Sequence, residues 1–232
     1  MVQPDLEGVF ALSKMRLKFS KLGMGKYISH LDLLRTFTRA IHRAELPVRY
    51  SQGFNPHQLI TFSLPLALGT TSETEFVDID FEDGTDKIEV VKKLNMCLPP
   101  DIKILEASVP VVKAKDIVSA EYIFDITADS EVNDERVKSF FAEENIPAVK
   151  KTKRGEKEIN LKEFIYSVDE IAVNGEKVTI KAVISAGGEN NIKPGIVAEK
   201  LCEFIGNARP ENVEIHRTTI FYSDGKKIKN FC

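Results

Sequence analysis

Arg35, Arg39 and Arg43 recur at every fourth position, and shortly after them comes Tyr50-Ser51-Gln52-Gly53-Phe54-Asn55-Pro56-His57. Guanidiniums at i, i+4 and i+8 make a straight row on one helix face, a spacing suited to bidentate contact with successive phosphates. The octapeptide holds what such a row lacks: two aromatics that can stack on a flat ligand, and an amide and an imidazole for directional hydrogen bonds. Gly53 can take a positive φ that other residues resist, and Pro56 holds Asn55 extended, which predicts fixed directions for Asn55 and His57. Phe54 either stacks on a ligand or plugs the core. A surface for an anionic ligand is the expectation, with Arg35, Arg39, Arg43, Gly53, Phe54, Asn55 and His57 as its substrate-binding set.

The alternative is catalysis. His57 and His30 are the candidate catalytic residues, since a loop histidine beside arginines is minimal equipment for metal-free acid–base cleavage of RNA. No metal site is expected. His30, His42 and His57 have no familiar zinc spacing, and Cys97, Cys202 and Cys232 are too far apart to form a CxxC-type pair. They offer no disulfide framework either, which fits a reducing cytoplasm. GxxxxGK[ST], HExxH and GxSxG do not occur, and no cofactor is expected.

The net charge of -3 hides an asymmetry. Between Arg16 and His57, eight Lys/Arg face only Asp32 and Glu45, and Lys18, Lys21 and Lys26 precede the arginine row. Between Glu73 and Glu89, eight carboxylates face Lys87 alone. Either the two blocks neutralise each other in the fold, or each serves a partner. Weaker signals lie further on. Lys150, Lys151, Lys153 and Arg154 form a basic run at a hairpin. Gly187-Gly188 precedes a helix start that could hold an anion, and one of His216 and Arg217 must face outward from a closing strand.

These residues need elements to position them. Met15–Leu22 alternates as a half-buried strand. Ser29, with Asp32 three residues on, caps a helix over 31–45 whose core face is Leu33, Leu34, Phe37, Ala40, Ile41 and Ala44 and which Pro47 ends. Strands are predicted at 59–64, 74–81 and 102–109, with a helix from Ile88 to Leu94. After a linker over 110–117 the pattern recurs: a strand at 122–126, a helix over 132–144, strands at 163–168 and 177–185, a helix from Pro194 and a strand at 213–222. The fold class is therefore α+β, as two tandem ferredoxin-like (βαββαβ) units with antiparallel sheets, residues 15–112 and 118–232. One continuous α+β domain with a long sheet is the alternative. Residues 1–14 read as a loose extension, with Met15 as an alternative start. No apolar run approaches the length of a membrane span.

ISHLDLLRTFTRAI (28–41), YSQGFNPHQLITFSLPLALGTTSETEFVDI (50–79), EINLKEFI (158–165), KPGIVAEKL (193–201) and RTTIFY (217–222) resemble the radical-SAM-linked protein family, a bacterial domain of unknown function. The resemblance spans about residues 15–223 and is most specific over 28–79. Its signature falls on Ser29, His30, Asp32, Arg35, Gly53 to His57, Pro65, Gly69, Ser72 and Glu75. Gln58 and Leu59 depart from it, standing where proline and a basic residue are common. Members occur alone or joined behind a radical SAM enzyme, which implies a cytoplasmic accessory role with such an enzyme as partner. The chain lacks the CxxxCxxC of the enzyme itself. The leading expectation is a non-catalytic module presenting RNA or another anionic substrate. A metal-independent RNA-processing enzyme and a protein–protein adaptor are the alternatives.

Overall fold

The computed structural model describes residues 14–152, 155–188 and 190–232. The first half runs β1 (Lys14–Lys21), α1 (His30–Arg43), β2 (Ile60–Phe62), β3 (Thr70–Asp80), α2 (Lys87–Cys97) and β4 (Ile102–Ser108). The second runs β5 (Ile117–Ala128), α3 (Asp134–Ala142), β6 (Pro147–Thr152), β7 (Gly155–Asn160), β8 (Ile165–Asn174), β9 (Lys177–Ser185), α4 (Pro194–Ile205), β10 (Ala208–Ser223) and β11 (Ile228–Asn230). The fold is mixed α+β. The expected extension over residues 1–14 lies outside the described residues except for Lys14, which opens β1.

Among the described residues, nine strands form a single sheet, β4-β1-β3-β10-β5-β9-β8, with β2 on β3 and β11 on β10. The two halves share this sheet rather than carrying one each. The join is a parallel pairing of Thr70, Thr71 and Ser72 with Ile215, His216 and Arg217; the other strand pairs are antiparallel. That join explains two departures from the periodicity. β3 starts at Thr70 instead of Thr74 because its first residues are held by β10. β2 shrinks to three residues, opposite Val77–Ile79, because β10 occupies the rest of that edge. β6 and β7 pair only with each other.

Each half buries its own apolar cluster. Leu17, Phe19, Val77 and Ile79 pack with Phe37, Ala40 and Ile41 of α1 and with Val90 and Leu94 of α2. Tyr122, Phe124 and Ile180 pack with Phe140 of α3 and with Val197 and Leu201 of α4. α1 follows from local chemistry. The Ser29 hydroxyl accepts from the Asp32 amide at 3.2 Å and donates to the Asp32 carboxylate at 2.7 Å, satisfying groups that a helix start leaves open. Leu33, Phe37, Ala40 and Ile41 face the core at helical spacing, which leaves the arginine positions on the solvent side.

Candidate functional site

The octapeptide folds back on itself. Tyr50 and Gln58 bridge as antiparallel partners, the Ser51 amide donates to the His57 carbonyl at 2.8 Å, and the Leu59 amide donates to the Arg49 carbonyl at 3.1 Å. The tip turns at Gly53, whose φ of 123° is a region that side chains with a Cβ avoid. Phe54 and Asn55 sit on this tip in solvent. Phe54 is fully exposed, so the core-plug alternative is wrong for it. An aromatic ring presented to water on a tight turn is available to a ligand face.

Between this hairpin and the outer face of α1 lies a cavity of about 680 Å³. Arg39, Arg43 and His42 line it from the helix, and His57 and Gln58 from the hairpin; Leu34, Tyr50, Pro56 and Ile60 supply apolar wall. Among the described residues, no carboxylate lines it. Arg39 makes no hydrogen bond or ion pair with any described residue, whereas Arg43 donates to the Cys97 carbonyl at the end of α2 at 2.5 Å. One contact out of five guanidinium donors leaves Arg43 capacity for a ligand. The Ser51 oxygen accepts from the His57 amide at 3.1 Å and lies 2.8 Å from His57 Nδ1. The Ser51 contact occupies Nδ1 and leaves Nε2 as the ring nitrogen open to a directional bond with a ligand.

The expected residues do not all converge here. Arg35 lies one turn away, paired at 2.9 Å with Asp32, whose carboxyl is held below its ordinary range first by the Ser29 hydroxyl and then by Arg35. Both partners are largely exposed, so the pair contributes little stability. His30 rests edge-on against Phe62, with ring centres 5.4 Å apart, and is not part of the cavity wall. His42 and Gln58 also line the cavity; the sequence weighs His42 only as a zinc ligand, and Gln58 stands out there only as a departure from the family pattern.

The charge blocks resolve clearly. Arg16 makes a bidentate pair with Asp78 at 2.7 and 2.9 Å, Lys14 lies 3.5 Å from Asp80, and Arg49 lies 2.9 Å from Asp83. The acidic block thus pairs with Lys14 and Arg16 of β1 and with Arg49 at the entrance to the hairpin, and not with Arg39 or Arg43. Of the basic run at the second hairpin, Lys150 sits over the Phe164 ring; Lys153 and Arg154 lie outside the described residues.

Glu75 goes elsewhere too. Arg217 is 1% and Glu75 3% exposed, joined by bonds of 2.9 and 2.5 Å at the seam between β3 and β10. Arg217 also donates to the Tyr122 hydroxyl and the Leu64 carbonyl, while His216 is tied to Thr71 at 2.8 Å. Burial is the largest influence and opposes the Arg217 charge, but the Glu75 carboxylate and the Tyr122 hydroxyl together outweigh it and hold the guanidinium above its ordinary range. Lys21, buried close by, is pushed below the usual lysine range by burial, with Glu75 opposing. A small cavity of about 240 Å³ reaches Arg217 and the start of α4, but that guanidinium already spends its bonds on the protein. Of the residues matched by the resemblance, Pro56 and His57 line the cleft, Gly53, Phe54 and Asn55 form the exposed hairpin tip, and Glu75 lies at the seam.

Among the described residues, no group of His, Cys, Asp and Glu could hold a metal ion, and no helix is long and apolar enough to cross a membrane. The family described as an uncharacterized protein conserved in bacteria (DUF2344) matches residues 14–194, and the chain belongs to it. No curated protein matches the sequence. Among solved structures, a chain from the crystal structure of a Cbf5-Nop10-Gar1 complex is similar at a TM-score of 0.50 and 10% identity, over 90% of this chain and 49% of that one. A chain of the archaeal box H/ACA sRNP Nop10-Cbf5 complex gives 0.47 and 10%, over 89% and 47%. This chain spans about half the length of those it matches, and the first likeness is one of fold.

Proposed function

We propose that this chain is a non-catalytic binding module that holds single-stranded RNA in the cleft between α1 and the 50–58 hairpin. One observation carries the reading: Arg39, Arg43, His42 and His57 share a cavity that, among the described residues, no carboxylate lines, while Lys14, Arg16 and Arg49 are paired with the protein's own acids. Arg39 and Arg43 take phosphate oxygens, His57 adds a directional hydrogen bond, and the exposed Phe54 stacks on a base. The strand orders β4-β1-β3-β2 and β10-β5-β9-β8 support reading the scaffold as two ferredoxin-like units, residues 15–112 and 118–232, fused edge to edge. On the family resemblance, the module presents its RNA to a radical SAM enzyme in the cytoplasm. Fluorescence anisotropy with labelled single-stranded RNA tests the reading. Arg39→Ala/Arg43→Ala weakens binding relative to the wild type; a wild-type protein that binds no RNA, or a double variant that binds as tightly, overturns it.

A further inference from the structure

Gripping phosphates needs only a charged surface, and this site is a cavity. Its volume of about 680 Å³ falls in the ~300–1,000 Å³ range of pockets that enclose small organic ligands. Tyr50 and Pro56 give it flat, apolar wall opposite the helix.

Gln58 has no internal explanation. It lines the cavity yet is only 8% exposed. Its Nε2 reaches the Tyr50 hydroxyl at 3.4 Å, near the outer limit of a hydrogen bond, and its Oε1 is buried with no partner among the described residues. Reversing the amide only exchanges which end is left unmatched. A buried polar atom without a partner costs folding free energy, and most native structures avoid it. The terminal amide torsion is soft, so either end turns readily toward the cavity.

We infer that the cavity receives one nucleotide splayed out of a single strand, with its phosphate on Arg39 and Arg43, its base against Tyr50 and Pro56, and its edge read by the Gln58 amide. This rests on the RNA reading of the cleft and adds a substrate form and a specificity-determining residue to it. A glutamine amide pairs in bidentate fashion with the amino group and ring nitrogen of adenine, so adenine is the preferred base. A duplex, whose bases stay stacked, cannot fill the cavity.

The test is anisotropy with 5′-fluorescein-labelled oligo(rA), oligo(rU) and their duplex, each about twelve nucleotides long, against the full chain and its Gln58→Met and Arg39→Ala variants. Oligo(rA) binds about fivefold tighter than oligo(rU), the scale of one hydrogen bond, and tighter than the duplex. Gln58→Met removes the difference between adenine and uracil while its thermal midpoint stays at or above the wild type, because an unmatched buried amide is gone. If Arg39→Ala weakens all three ligands but the wild type binds them equally, the nucleotide pocket is wrong and the RNA reading stands. The pocket is equally wrong if Gln58→Met keeps the adenine preference. If the wild type binds none of the three, both fail.

Discussion

Glu75→Gln isolates the buried ion pair that holds the two halves together. Two contacts of 2.9 and 2.5 Å join groups whose side chains are 1% and 4% exposed. Glutamine keeps the shape, removes the negative charge and sets an amide donor against a guanidinium that water cannot reach. Lys21, which also draws support from the Glu75 carboxylate, is left beside a second uncompensated cation. Removing one partner of a buried pair costs about 3–5 kcal/mol. For a chain of this size, about 2–4 °C per kcal/mol converts this to a drop of about 6–20 °C in the thermal midpoint. Scanning fluorimetry and urea melts at pH 7 measure it. Glu75→Leu/Arg217→Met, which removes both charges, loses less than Glu75→Gln does. A midpoint for Glu75→Gln within about 2 °C of the wild type, less than about 1 kcal/mol, refutes the assignment of the seam to this pair.

Gly53→Ala meets no atom within 4 Å, so its cost is backbone strain at the hairpin tip alone, about 1–3 kcal/mol. RNA affinity falls, and the unfolding free energy from urea melts drops by no more than this strain; a larger loss contradicts a tip without packing partners. Cys202 is buried in α4, and burial pushes its thiol up to about 11. Its folded pKa lies above the unfolded value, so the stability it adds is complete below about pH 8.5 and is lost as pH rises through about 11. The stability advantage of wild type over Cys202→Ala therefore narrows across that window in chemical melts. In native protein the exposed Cys232 is alkylated before Cys202, and the reverse order, read by mass spectrometry, contradicts the burial.

What the sequence reveals follows from the range of each interaction. α1 is legible because its apolar stripe and its arginine row repeat within fourteen residues, directly behind the Ser29 cap. The hairpin is legible as a cluster of turn-forming and chemically active residues. The seam leaves no such trace: Glu75 and Arg217 lie 142 positions apart, and a lone arginine on an alternating strand reads as solvent-facing. The same blindness hides the early start of β3, which depends on β10; pairing between the charge blocks is foreseeable, but not that Arg16 takes Asp78, 62 positions away. Arg39 and Arg35 look alike in the row, yet Asp32 engages only Arg35 in an ion pair. The role of Gln58 is invisible in the sequence, since only the folded hairpin buries its oxygen and leaves it unmatched.

The claim that Arg39 and Arg43 grip phosphates is tested most directly by the salt dependence of single-stranded RNA binding. Each phosphate contact contributes about 0.7 to the slope of log K against log salt. Arg39→Ala/Arg43→Ala therefore flattens the slope by about 1.4 relative to the wild type. Parallel lines for the two proteins would place the RNA somewhere other than this cleft.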